Sequence, residues 1–156
     1  MNDFSDLILE ADICELKSTQ KYEALHELIS RAVSFISLPD AIQFENEVVD
    51  RERKQSTGIG KGVAIAHATT EQVQSIRVAL GISQKGIQFD SIDDEPVHLL
   101  FLVANPPNSQ LEYLSVLSAL VRLLRESHFR QSLICCSTTS DVKELIDSSL
   151  TYVMSA

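Results

Sequence analysis

The chain has 156 residues and a mass of 17.3 kDa, the size of one ordinary domain. Folding such a chain buries roughly 68–70% of its unfolded surface, so it needs no staple. Hydrophobic residues make up 44% and charged residues 22%, which excludes a disordered or fibrous chain. A formal charge of −9 and a pI near 4.8 exclude a phosphate-rich partner such as DNA or RNA, whose binding rests on Lys and Arg; a basic protein surface is the partner this charge fits.

Before any element is placed, targeting, redox and metal chemistry narrow the field. The longest apolar run, Leu99 to Ala104, falls far short of the ~20 residues that span a bilayer. The opening Met1-Asn2-Asp3-Phe4-Ser5-Asp6 has neither the positive charge nor the apolar stretch of a secretory signal, so a cytoplasmic protein is expected. Cys14, Cys135 and Cys136 are an odd set. The adjacent pair does not bridge without strain, and none has a Cys or His at zinc-ligand spacing, so no disulfide and no metal site is expected.

In chain order, Ile13-Cys14-Glu15-Leu16 reads as a short strand. Thr19 then stands as N-cap to a helix carrying Tyr22, Leu25, Leu28, Ile29, Ala32, Val33 and Ile36 on its inner side. A second helix starts near Pro39 with Ser37 in front, turns Ala41, Phe44, Val48 and Val49 inward, and ends near Arg51-Glu52. Gly58, Gly60 and Gly62 punctuate a turn into Val63-Ala64-Ile65-Ala66-His67, whose alternation predicts a strand with His67 at its end.

Ile76, Val78, Leu80 and Ile82 alternate as a strand with one buried face. Val97 to Val103 is nearly continuous in apolar residues, the pattern of a central strand covered on both sides. Asn105-Pro106-Pro107-Asn108 breaks the chain. Ser109 with Glu112 makes a capping-box pattern for a helix carrying Leu111, Leu114, Leu117, Leu120, Val121 and Leu124. A short helix near Phe129 to Leu133 follows, and Thr138 or Thr139 caps a last one with Val142, Leu145, Ile146 and Leu150 inward. With no repeat and no linker composition, the expectation is a single α/β domain over residues 1–156, a mixed β-sheet flanked by helices.

The segment with chemistry in it is Arg51-Glu52 followed by Ser56-Thr57-Gly58-Ile59-Gly60-Lys61-Gly62-Val63-Ala64-Ile65-Ala66-His67. A neutral imidazole keeps a free lone pair near pH 7 and attacks phosphorus without first losing a proton. The three equatorial oxygens of a transferring phosphoryl group need cations and donors around them. Arg51 is the candidate cation, Gly58 and Gly60 let backbone N–H groups approach an anion, and the Ser56 and Thr57 hydroxyls are further candidate donors. Each also has a plain structural reading: a histidine in a strand, a glycine turn, and a basic residue complementing a helix C-terminus. His26 and His128 lie in helical stretches and read as surface residues, His98 as a hydrogen-bonded core-edge residue, and the cysteines near position 135 as small buried hydrophobes.

This segment resembles the signature of the phosphotransferase-system IIA component of the fructose, mannitol and nitrogen-regulatory class: an Arg-Glu pair, Ser-Thr-Gly-Ile-Gly, then Gly-Val-Ala-Ile before the histidine. The likeness continues through Phe89-Asp90, Asp94, Pro96-Val97, the Leu114-Val116-Leu117 helix and the closing helix from Asp141 to Leu150. It implies a phosphotransferase component that takes a phosphoryl group on His67 from the histidine phosphocarrier protein, with no cofactor. The Ile87 to Asp93 stretch is more like the regulatory members than the sugar-specific ones. A regulatory protein or a IIB component is the implied onward partner.

Three positions depart from the family: Ala66 stands for a proline, Ala68 for a glycine, and Tyr113 for a second histidine that approaches the phosphoryl group. Tyr113 offers a hydroxyl donor in that place. These departures leave open a second reading, a IIA-like module that binds regulatory partners without passing phosphate onward.

Overall fold

The computed structural model describes residues 6–155, with the side chains of 6–150; the opening Met1–Ser5 read above for a targeting signal lies outside the described residues. A 3-10 turn at Glu10–Asp12 leads into β1 (Ile13–Leu16), and then α1 (Lys21–Arg31), α2 (Val33–Ile36) and α3 (Ala41–Lys54) follow. The middle of the chain supplies β2 (Gly58–Gly60), β3 (Val63–Thr69), β4 (Arg77–Ile87) and β5 (Val97–Asn105). The end is helical: α4 (Gln110–Leu124), α5 (Ser127–Cys135) and α6 (Thr139–Ser155).

The five strands form one mixed sheet in the order β1-β4-β5-β3-β2. β5 is central, as its unbroken apolar run requires, antiparallel to β4 and parallel to β3. Because successive side chains in a strand point to opposite faces, the sheet sorts its residues into two cores. Ala64, Ala66, Ala68, Ala79, Leu100 and Leu102 face one way, with Leu25, Leu28, Phe35, Phe44 and Val48 of the first three helices. Val63, Ile65, Val78, Leu80, Leu99, Phe101 and Val103 face the other, with Val116, Leu120, Leu133, Val142 and Ile146 of the last three. The expected architecture, a mixed sheet flanked by helices, is what the chain adopts.

The alanine row of β3 has a packing reason. Side chains of one carbon let α3 lie close against the strand, where Phe44 and Val48 are fully buried and Phe35 stacks on Phe44 with ring centroids 5.3 Å apart. Burying each phenyl ring fully contributes on the order of 1.5–3 kcal/mol.

Several boundaries differ from the sequence reading. Gln20, not Thr19, precedes α1, because Thr19 O accepts from Gln88 N (2.8 Å) and Gln88 O accepts from Lys21 N (3.1 Å), holding this segment extended against the end of β4. The first helix breaks at Ala32 (φ −70°, ψ 124°). There the buried Asp12 carboxylate accepts from Ser34 N (2.7 Å) and Ser34 Oγ (2.6 Å), a local competitor to continued helix. Val33 and Ile36, past the break, are exposed rather than inside as expected, and so is Tyr22 in the first turn of α1. Asp40 rather than Ser37 caps α3, accepting from Gln43 N at 3.0 Å, and the helix runs past Arg51-Glu52 to Lys54 with Val49 only half-buried.

β3 extends to Thr69 beyond His67, and β4 starts at Arg77, leaving Ile76 outside, and runs on to Ile87. Ser109 does precede α4 but makes no capping bond, since its φ of −117° and ψ of 31° lie outside the extended conformation a capping side chain needs. Leu111 and Leu114 at that end are exposed rather than inward. Thr138 caps the last helix, accepting from Asp141 N at 3.0 Å. Cys135 is exposed and Cys136 half-buried, not core residues as expected. Among the described residues no helix is long and apolar enough to cross a membrane.

Candidate functional site

Three elements bring the predicted residues together. His67 continues the Val63-Ile65 row of β3, so its ring points to the face covered by α4. There it meets Tyr113, the rings 5.3 Å apart between centroids and tilted by 44°. Arg51 arrives from the last turn of α3. The antiparallel pairing of Gly58 with Ala64, with Ile65 N donating to Thr57 O at 3.1 Å, runs the loop after α3 back alongside β3. Arg51 Nη1 donates to Gln55 O in that loop at 3.0 Å.

His67 is half-buried, and Nδ1 lies 3.4 Å from Ile65 O. A proton on Nδ1 shared with that carbonyl leaves the lone pair on Nε2. Burial holds the imidazole below its ordinary pKa of 6.5; the Ile65 carbonyl opposes this, the Arg51 guanidinium adds to it, and Glu52 opposes it. The ring is therefore neutral and nucleophilic across the usual cytoplasmic range. Burial likewise pushes the Tyr113 phenol above 10, against the pull of Arg51, so it remains a hydroxyl donor. Burial is the first cause of both shifts, and the Arg51 guanidinium acts on both rings, adding to the fall at His67 and opposing the rise at Tyr113.

The Gly-rich segment takes a different part from the one its sequence promised. Thr57 is buried, and its N–H (2.8 Å) and hydroxyl both donate to Glu52. Ser56 Oγ donates to Phe89 O at 2.9 Å. An added Cβ on Gly58 would stand 2.3 Å from Ser91 Oγ, so this glycine allows close packing. The turn Gly60-Lys61-Gly62 is left-handed at all three residues (φ 95°, 58° and 78°), which is why glycines flank Lys61. Its anion is internal: Lys61 N donates to Asp93 Oδ2 at 2.9 Å. Thus the structure brings together His67, Arg51 and Tyr113, while the Ser56 and Thr57 hydroxyls are engaged in holding the loop.

Two residues escaped the sequence reading. Glu52 enters the motif only as half of the Arg-Glu pair, and Lys21 belongs to no motif; the two are buried against each other, with Lys21 Nζ 3.1 Å from Glu52 Oε2. The one sequence signal for Lys21 is that a cation in the first turn of a helix opposes the helix dipole and so needs a separate reason.

The other histidines match their plain readings. His26 is exposed and paired with Glu45 at 2.7 Å, His98 Nδ1 contacts Ser83 O at 2.8 Å, and His128 is exposed. Among the described residues no group of three or more His, Cys, Asp or Glu is arranged to hold a metal ion. The departures at 66 and 68 are absorbed by the strand. Ala66 pairs with Leu102 and Ala68 with Ala104, and neither has the positive φ that would demand glycine.

Comparison with known proteins shows the family of the chain and relatives of its fold. The model of the family described as "Phosphoenolpyruvate-dependent sugar phosphotransferase system, EIIA 2" matches residues 8–149. The PTS system fructose-specific EIIABC component of Bacillus subtilis is 30% identical over 132 residues, 85% of this chain, which spans only 21% of that longer protein. The nitrogen regulatory protein of Bradyrhizobium diazoefficiens is 32% identical over 130 residues, covering 83% of this chain and 84% of that protein. The crystal structure of nitrogen regulatory protein IIA-Ntr from Neisseria meningitidis superposes with a TM-score of 0.83 at 26% identity, covering 92% of this chain and 98% of that one.

Proposed function

Because the chain belongs to the EIIA 2 family of the phosphoenolpyruvate-dependent sugar phosphotransferase system, we propose that it is a cytoplasmic phosphohistidine carrier of the nitrogen-regulatory type. Its donor is the histidine phosphocarrier protein and its acceptor is His67. The observation that carries this reading is the convergence of a neutral, half-buried imidazole with one cation and one phenol.

The Nε2 lone pair of His67 forms a new N–P bond as the donor's N–P bond breaks and that electron pair returns to the donor imidazole. The proton stays on Nδ1, facing the Ile65 carbonyl that accepts from it, while the bond forms. Arg51 stabilises charge on the equatorial oxygens, and Tyr113 donates its hydroxyl to one of them. Ser56, Thr57, Gly58 and Gly60 serve the phosphoryl group by fixing the loop that Arg51 holds at Gln55 O. The likeness in shape to the Neisseria protein supports the regulatory type.

Incubation with phosphorylated histidine phosphocarrier protein tests the reading. Stoichiometric label on the wild type is expected, and no label would overturn it. Tyr113 in place of the family's second histidine supports a second reading, a receiver that is phosphorylated but does not pass phosphate onward. Rapid back-transfer to unphosphorylated phosphocarrier protein would exclude it.

A further inference from the structure

We propose that Glu52, neutralised by Lys21, is a positioning residue for phosphoryl transfer: it clamps the loop after α3 so that Arg51 is held beside His67. This rests on the phosphocarrier reading of His67. The Glu52 side chain is 1% exposed and that of Lys21 is 8% exposed, and ionised groups are rarely buried so far without a partner. Glu52 accepts three hydrogen bonds, from Lys21 Nζ (3.1 Å), Thr57 N (2.8 Å) and Thr57 Oγ1. Two of the three come from the loop, so the carboxylate fixes Thr57 to the last turn of α3.

The neighbouring Arg51 holds the same loop two residues earlier, at Gln55 O. Lys21 in turn is tied to a third segment, with Nζ 4.8 Å from the Phe89 ring centroid and 3.9 Å from Asp90 Oδ2. Ser56 Oγ joins the loop to the same segment through Phe89 O (2.9 Å). Start of α1, end of α3 and the loop thus meet on one carboxylate, and Phe89 and Asp90 are joined to it through Lys21 and Ser56. None of these contacts reaches His67 directly. Beyond its electrostatic pull on the imidazole, Glu52 acts through Arg51, and a guanidinium on a flexible side chain is useful in the transition state only if it is already oriented.

The test is a double-mutant cycle on the full chain, with single-turnover labelling of His67 by phosphorylated histidine phosphocarrier protein over a range of donor concentrations. Glu52→Gln should lower the limiting rate roughly tenfold or more and leave the half-saturating donor concentration unchanged. In an Arg51→Ala background the same substitution should change the rate less than about twofold. Rate losses that multiply would overturn the proposal, as would a wild-type limiting rate in Glu52→Gln. Lys21→Met should follow Glu52→Gln in sign, and wild-type rates there also overturn it.

Should Glu52→Gln not fold, Thr57→Val, which deletes only the hydroxyl on Glu52, runs the same cycle with Thr57→Ser as the rescue. A Thr57→Val loss that multiplies with Arg51→Ala is again a refutation. If the wild type takes no label, the carrier reading fails, and the clamp is judged by amide hydrogen exchange at residues 55–58. Exchange in Glu52→Gln at least about tenfold faster there, with β5 unchanged, keeps the clamp, and equal exchange removes it.

Discussion

Replacing Arg51 by alanine separates catalysis from folding, and its two effects can be sized from the structure. For stability, the residue complements the C-terminal end of α3, a contribution of about 0.3–1 kcal/mol, and makes one exposed hydrogen bond to Gln55 O, a further ~0.5–1.5 kcal/mol. The loss on unfolding should therefore stay below about 2.5 kcal/mol. Removing a donor that stabilises transition-state charge is worth ~2.7–4 kcal/mol, or about a hundred- to thousandfold in rate. The imidazole supplies a third readout: Arg51 depresses the His67 pKa, so Arg51→Ala should move its titration midpoint up toward 6.5. Rapid-quench labelling, urea unfolding and NMR titration of the His67 ring measure the three. Equal labelling rates with an unmoved midpoint would refute the geometry, whatever the stability change.

Other outcomes follow from the same arrangement. Tyr113→Phe should keep the fold and shorten the lifetime of phosphorylated His67 by roughly tenfold or more, the loss of one hydrogen bond to a charged acceptor at ~1.5–3 kcal/mol. Tyr113→His should speed transfer, and identical hydrolysis and transfer rates in all three proteins would make the ring a packing group. The acid limb of the labelling rate should lie below pH 6.5, because burial depresses the His67 pKa. The sign for stability follows: unfolded His67 binds its proton more readily, so its contribution is lost as pH falls from the unfolded value through the folded one. A limb at or above 6.5 contradicts the burial. Gly58→Ala places a Cβ 2.3 Å from Ser91 Oγ and 2.9 Å from Ser91 Cα, so thermal or urea unfolding should show a loss of about 1–3 kcal/mol. A neutral result would mean the loop yields freely.

What the sequence revealed and what it hid divide along physical lines. The period-2 rows of β3 and β4, the unbroken apolar run of β5 and the period-3.6 rows of the later helices were legible because burial leaves a pattern. Helix ends were less legible, since two were decided by partners far along the chain, Gln88 at the start of α1 and Asp12 at its break, and a third by the backbone conformation of Ser109 before α4. The same holds at the site. His67 and Arg51 stood out in their motif, and Tyr113 stood out as a departure from it. The Ser56 and Thr57 hydroxyls were legible as donors but not as donors to Phe89 and Glu52, a choice made by tertiary packing. Lys21 carried only the weak signal of a cation at a helix start, because a buried ion pair between residues 21 and 52 has no local period.

The most direct test of the account is to locate the phosphoryl group itself. Wild-type protein and His67→Ala are incubated with phosphorylated histidine phosphocarrier protein, digested, and read by mass spectrometry at alkaline pH, where phosphohistidine survives. The account predicts one phosphoryl group, on His67 alone, and none on His67→Ala. Label that persists in His67→Ala, or that maps to His26, His98 or His128, contradicts it.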